Sequence, residues 1–192
     1  MTQEKFLARV AESLVAVGIP FMVTGSFGSS LHGQPRATQD VDLVIDPTAE
    51  QLENFLTRLG DRQYVSPEAA RDALRRRSMF NIIDFEEGWK ADLIIRKDRP
   101  FSVEEFQRRL VQLLHGVQTP VASPEDVILS KLEWNKLTPS ERQVTDALSI
   151  VLVQGAKLDL VYLRKWAPHL GVAEKLEELL SEVTGGPVHS AP

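Results

Sequence analysis

The chain has 192 residues, a formal net charge of -5 and no cysteine, with 43% hydrophobic and 26% charged residues. That is globular composition with enough apolar side chains for a substantial core. The acidic balance, with a pI near 5.4, excludes the broad basic face of sequence-independent nucleic-acid binding, and the lack of cysteine excludes disulfides, a thiolate zinc site and a cysteine nucleophile.

The opening stretch MTQEKFLARVAESLVAVGIP carries charges throughout and has no uninterrupted apolar h-region. No apolar run approaches the ~20 residues of a membrane helix. Cytoplasmic residence without a membrane partner is therefore expected. Phe6, Val10, Leu14 and Val17 recur at helical spacing, so residues 3–17 read as an amphipathic helix stopped by Gly18 and Pro20. FMVTG is then a short strand, SFGSSLHG a helical turn or short helix, QPRATQ a loop, and DVDLVID a second strand ended by Pro47. TAEQLENFLTRLGD is a helix with Thr48 as N-cap, and PEAARDALRRR is another. SMFNIIDF and KADLIIR read as two strands joined around Glu86, Glu87, Gly88 and Trp89. SVEEFQRRLVQLLHG reads as helical and VQTPVAS as extended. From Pro124 to Ser181 the pattern is helices with short breaks. The expected architecture is an α/β (α+β) domain over residues 1–116, with a small mixed β-sheet flanked by helices. An α-helical region over 117–183 and a Gly/Pro-rich, disordered tail over 184–192 complete it.

Three features carry chemistry. Gly25-Ser26 follows a strand, where glycine lets the backbone turn sharply and serine adds a hydroxyl and an amide for phosphate; read alone, it is equally an ordinary turn. Asp40 and Asp42 stand either side of Val41, so their carboxylates share one face of a strand. Such a pair can share Mg²⁺, which takes hard oxygens from one or two carboxylates and from substrate phosphates; the same pattern also occurs at solvent-facing strand starts. Asp92 opens the apolar strand Leu93-Ile94-Ile95 much as Asp42 opens its own, whereas Asp84 lies at a hairpin end. Three carboxylates brought together would repel one another unless cations neutralise them.

Taken together, Thr24-Gly25-Ser26, the loop of residues 27–39, Asp40-Val41-Asp42-Leu43 and the later Asp92 resemble the nucleotidyltransferase superfamily of the DNA polymerase β type. The resemblance extends over residues 1–98. It implies the nucleotidyltransferase fold and Mg²⁺ ions, with Mn²⁺ an admissible substitute, held by Asp40, Asp42 and Asp92. It also implies a nucleoside triphosphate bound at Gly25 and Ser26, and transfer of a nucleoside monophosphate to a hydroxyl with release of pyrophosphate. The C-terminal stretch SPEDVILSKLEW…SERQVTDALSI is similar to small bacterial nucleotidyltransferases of the abortive-infection (AbiEii), type IV toxin kind. In those a helix lysine and an R-x-x-x-D pair complete the pocket, which maps onto Lys131, Arg142 and Asp146. Apart from the resemblance, Arg142 and Asp146 have the spacing of a surface helix ion pair, and Lys131 can be a snorkelling lysine.

Arg36, in the loop before Asp40, is close enough in sequence to reach a triphosphate. Arg71, Arg75, Arg76 and Arg77 form the main basic run, which is either a solvated helix face or a phosphate-facing one. His32, His115, His169 and His189 lack ligand spacing, and no G-x-S-x-G elbow surrounds Ser26. A tRNA 3′ end, a protein hydroxyl and a small molecule remain open as acceptors. The alternative to the enzyme is a catalytically silent nucleotide-binding or toxin–antitoxin-type module on the same fold.

Overall fold

A computed structural model describes residues 3–38, 40–59, 63–114 and 117–184. The chain divides into two compact units. The first comprises the described residues up to Gly28 and from Ala37 to Ser123; the second comprises Ser29–Arg36 and the described residues from Pro124 onward.

In the first unit α1 (Gln3–Ala16) buries Phe6, Leu7, Val10, Ala11 and Leu14, as its helical period requires. β1 (Phe21–Thr24) runs straight into α2 (Gly25–His32), whose last four residues belong to the second unit. β2 (Asp40–Ile45) follows, then α3 (Ala49–Arg58), which starts with a full capping box between Thr48 and Gln51. The short β3 (Gln63–Tyr64) precedes α4 (Pro67–Arg76), where Ser66 caps the helix and Pro67 occupies its first turn. β4 (Met79–Asp84), β5 (Lys90–Ile95), α5 (Pro100–Gln107), β6 (Leu110–Leu114) and β7 (Val117–Val121) complete the unit.

The strands form one seven-stranded sheet in the order β3-β4-β5-β2-β1-β7-β6. β2–β5 and β1–β7 are parallel, and the other pairs are antiparallel. Phe21, Val23, Val41, Leu43, Ile45, Phe80, Ile82, Ala91, Leu93 and Ile95 point to one face. There they pack with α1 and with Leu52, Phe55, Ala70 and Ala73 of α3 and α4 in a single core. Because side chains alternate along a strand, the residues between these point the other way.

Two expectations are corrected. Residues 110–114 are the edge strand β6, not the end of a helix; α5 stops at Gln107. β7 pairs with β1 and β6, both in the first unit, so the units part after Ser123 and not after residue 116. The tail expected to be disordered lies outside the described residues from 185 onward, and Thr184 is the last residue of a helix.

The second unit contains α6 (Pro124–Leu137), α7 (Glu141–Gln154), a 3₁₀ turn (Gly155–Lys157), α8 (Leu160–Leu170) and α9 (Ala173–Thr184). Val127, Ile128, Leu132, Ala147, Ile150, Leu163, Trp166, Leu176 and Leu179 are buried. Buried Asp126 accepts a hydrogen bond from the Tyr162 hydroxyl at 2.6 Å, tying α6 to α8. Among the described residues no helix is long and apolar enough to cross a membrane.

One carboxylate sits on the core face of the sheet. Asp84 is 1% exposed and accepts the Glu86 and Glu87 amides at 3.1 and 3.0 Å, which shapes the β4–β5 hairpin; Arg9 of α1 pairs with it. Burial alone would push this carboxyl up, but the Glu87 amide, Arg9 and the Glu86 amide together hold it below its usual range. Its stabilisation is therefore present above the unfolded carboxyl value near 4 and is lost as pH falls through the lower folded value. Asp84→Ala is expected to cost about 3 kcal/mol in urea unfolding at neutral pH, and Asp84→Asn, which keeps an acceptor for the hairpin amides, clearly less.

Candidate active site

Asp40, Asp42 and Asp92 lie on the face of the sheet away from the α1, α3 and α4 core. In the parallel β2–β5 ladder Asp40 is level with Lys90 and Asp42 with Asp92. Antiparallel partners extend the second level on both sides, Thr24 of β1 beside Asp42 and Asn81 of β4 beside Asp92. A polar row Thr24–Asp42–Asp92–Asn81 thus crosses four strands. The opposite face is locked by Val41, Leu43, Ile45, Ala91, Leu93 and Ile95, each 0% exposed. A slip of one residue would turn the acids into the core and its apolar side chains out of it, so the register holds them on the other face.

Asp92 is engaged. The Lys90 ammonium reaches both of its oxygens, at 2.9 and 3.0 Å, and the Asn81 side-chain amide donates to Oδ1 at 3.0 Å. Lys90 is held above its ordinary value, first by the hydrogen bond to Asp92, against burial, and then by the charges of Asp92, Asp40 and Asp42. Its cation therefore lies in the field of all three carboxylates. As they stand, no three acidic or histidine side chains among the described residues are gathered into a metal-ligand set. Sequence reasoning passed over Lys90 and Asn81. The signal was present for Lys90, because Lys90-Ala91-Asp92 repeats the spacing of Asp40-Val41-Asp42.

Gly25 opens α2 with φ +61°. A Cβ there would lie 1.9 Å from Oδ2 of Asp42 and 2.5 Å from its Cγ. Only glycine meets both demands, a left-handed backbone and room for a carboxylate against it. Ser26 is the next residue of α2. The helix start presents backbone N–H groups and the positive end of the helix dipole beside Asp42.

The remaining sequence-identified residues belong to the second unit. Asp146 of α7 is gripped by Arg36, with Nε–Oδ1 at 2.7 Å and Nη2–Oδ2 at 2.8 Å, and by Lys131 of α6 at 2.8 Å. Asp146 and Lys131 are 5% and 4% exposed. Burial pushes the Asp146 carboxyl up, but the hydrogen bonds and charges of Arg36 and Lys131 hold it below the usual range. Arg142, the sequence-adjacent candidate partner of Asp146, is exposed. The i,i+4 pair expected between them is replaced by a triad whose third member comes from the loop before β2. The basic run is likewise occupied: Arg71 pairs with Glu53, Arg75 and Arg76 with Asp72, and Arg77 with Asp98 and Asp46.

No family model matches the sequence, and no curated protein is significantly similar to it. Solved structures are similar in fold. The antibiotic-resistance factor ANT(2'')-Ia aligns with a TM-score of 0.59 at 12% identity, over 92% of this chain and 97% of its own. An antigenic nucleotidyltransferase-like protein from Paracoccidioides brasiliensis aligns with a TM-score of 0.57 at 17% identity, over 90% and 92%. The lincosamide antibiotic adenylyltransferase LnuA, lincomycin-bound, aligns with a TM-score of 0.54 at 14% identity, over 80% and 98%. The chain has a nucleotidyltransferase-like α/β fold.

Gly25→Ala is expected to lower stability by more than about 2 kcal/mol, and by only about 1 kcal/mol when Asp42 is also changed to Gly, because backbone strain then remains without the clash. Urea titrations of the two singles and the double measure this. Asp146→Ala, which deprives a buried ammonium of its carboxylate, is expected to cost about 3 kcal/mol, and the Lys131→Met/Asp146→Leu double to recover most of that loss.

Proposed function

We propose that the protein is a nucleotidyltransferase that moves a nucleoside monophosphate from a nucleoside triphosphate to a hydroxyl of a small molecule, releasing pyrophosphate with Mg²⁺ as cofactor. The observation that carries this reading is the in-register Asp42–Asp92 pair set against the glycine start of α2, on a fold shared with adenylyltransferases. The small-molecule acceptor is supported by the similar structures, which include ANT(2'')-Ia with adenylyl-2''-tobramycin and LnuA with lincomycin.

The residues suit a hard divalent ion. The donors are carboxylate oxygens without sulfur or imidazole, and an ammonium already stands among them in a cation's role. Asp40, Asp42 and Asp92 would hold the ion. Bound Mg²⁺ supplies charge neutralisation of the triphosphate and polarisation at the reacting phosphorus. The chain does the rest. The Gly25 and Ser26 amides at the start of α2 receive phosphate oxygens, aided by the helix dipole. The Asp92 carboxylate takes the proton of the acceptor hydroxyl as its oxygen attacks the α-phosphorus in line. The bond to the bridging oxygen breaks and pyrophosphate leaves.

One observation favours the silent nucleotide-binding or toxin–antitoxin-type module instead: Asp92 is held by Lys90 and Asn81. Incubation with labelled nucleoside triphosphates, Mg²⁺ and separate aminoglycoside, lincosamide and RNA acceptors separates the two. Label transfer to a small molecule is expected, reduced on the order of 100-fold or more in Asp42→Ala. Triphosphate binding by calorimetry with no product on any acceptor would favour the silent module.

A further inference from the structure

The lysine–aspartate pairs Lys131–Asp146 and Lys90–Asp92 differ in exposure. The Lys131 side chain is 5% exposed and that of Asp146 6%, so withdrawing the ammonium would strand a charge in the interior. The Lys90 side chain is 35% exposed and that of Asp92 11%. Lys90 is the first residue of β5, next to the hairpin turn, on a flexible four-carbon stem. Its neighbour across the β4–β5 pair, Ile83, is itself exposed. The Lys90 ammonium can return to water on its own side, whereas Asp92, 8% exposed, would be left needing another cation in its place.

The same ammonium lies where opposite charge is most needed. Asp40 and Asp42 share a face of β2, Asp92 is level with Asp42, and Lys90 is level with Asp40. Without a cation, like charges at adjacent ladder positions would push the strands apart. A divalent ion on these acids and the Lys90 ammonium on Asp92 compete for the same carboxylate lone pairs.

We propose that Lys90 is the built-in counter-ion of this acid row. Its ammonium neutralises Asp92 in the cation-free protein and must withdraw before a divalent ion can use that carboxylate. Lys90 is thus a positioning residue that sets how readily the ion enters. The inference rests on the nucleotidyltransferase reading above and adds a determinant of its cation affinity.

The test uses Mn²⁺ as the probe on the full chain without nucleotide, with free Mn²⁺ followed by electron paramagnetic resonance. Lys90→Gln is expected to bind Mn²⁺ about tenfold or more tightly than wild type, the effect of removing one unit charge a few ångströms from a divalent ion near a protein surface. Adding Asp42→Asn to Lys90→Gln is expected to abolish the gain. Lys90→Arg, whose planar fork grips a carboxylate through two hydrogen bonds, is expected to bind Mn²⁺ more weakly than wild type. It keeps the charge and so tests the idea even if Lys90→Gln is poorly folded. A wild type that binds Mn²⁺ and transfers nucleotide, with Lys90→Gln binding equally or more weakly, or with Lys90→Arg binding as well as wild type where Lys90→Gln does not fold, overturns the role of Lys90 alone. No Mn²⁺ binding by wild type or variants, with or without nucleoside triphosphate, overturns the nucleotidyltransferase reading and this inference with it.

Discussion

Asp42 and Asp92 are direct partners on neighbouring parallel strands, where strand spacing is about 4.8 Å. Like charges so placed repel, and left to themselves they would favour a slipped or frayed ladder. The ladder holds because its other face is apolar without exception. Val41, Leu43 and Ile45 oppose Ala91, Leu93 and Ile95, all fully buried beneath α1, α3 and α4. Burying large side chains of this kind is worth roughly 1.5–3 kcal/mol each, and the Lys90 ammonium and the Asn81 amide offset the repulsion between Asp42 and the buried Asp92. The core thus holds the acids where they would not gather unaided, and the local features of the site answer that arrangement. Gly25 gives Asp42 room, Asn81 donates to Asp92, and Lys90 supplies positive charge.

Asp84, Asp146 and Asp92 are all buried, and they differ in what satisfies them. Asp84, on the core face, is satisfied permanently by backbone amides and Arg9. Asp146 is fixed between a buried lysine and a bidentate arginine, an arrangement whose members cannot separate cheaply. Asp92 is paired at the edge of solvent. Of these three acids, Asp92 stands level with Asp42 and beside Asp40, and its partner is the most easily released. A structural salt bridge and an exchangeable counter-ion can have the same distances, around 2.9 Å. They differ in what the cation would meet on leaving.

How much of this was legible in the sequence follows from how local each cause is. Strand β2, the helix cap at Thr48 and the hairpin around residues 85–89 arise from alternation, a capping pair and a glycine-bearing turn, so they read directly. β6 did not, because Leu110-Val111-Gln112-Leu113-Leu114 continues an amphipathic pattern that leucine supports in a helix. It becomes a strand by pairing with β7, a contact outside any local window. Asp40, Asp42 and Asp92 could be named as a group, since strand alternation sets their faces. Their partners were harder. The spacing of Arg142 and Asp146 pointed to each other, yet Asp146 takes Arg36, far away in sequence. Lys90 was readable by the same period-two rule that selected the aspartates, had basic residues been sought at acid positions.

The distribution of the arginines bears on the acceptor. Arg71, Arg75, Arg76, Arg77 and Arg96 of the first unit each have a carboxylate partner. The acid row adds negative charge on the sheet face that would meet substrates, and the chain as a whole carries -5. An RNA acceptor would approach the acid row against its field. A neutral or cationic hydroxyl-bearing molecule meets no such barrier, and a cationic one is drawn toward the carboxylates. Under the proposed chemistry a triphosphate enters with its own divalent ion and meets backbone amides rather than a basic patch. The same charge balance that leaves Asp92 in need of Lys90 thus argues for a small acceptor over a nucleic acid.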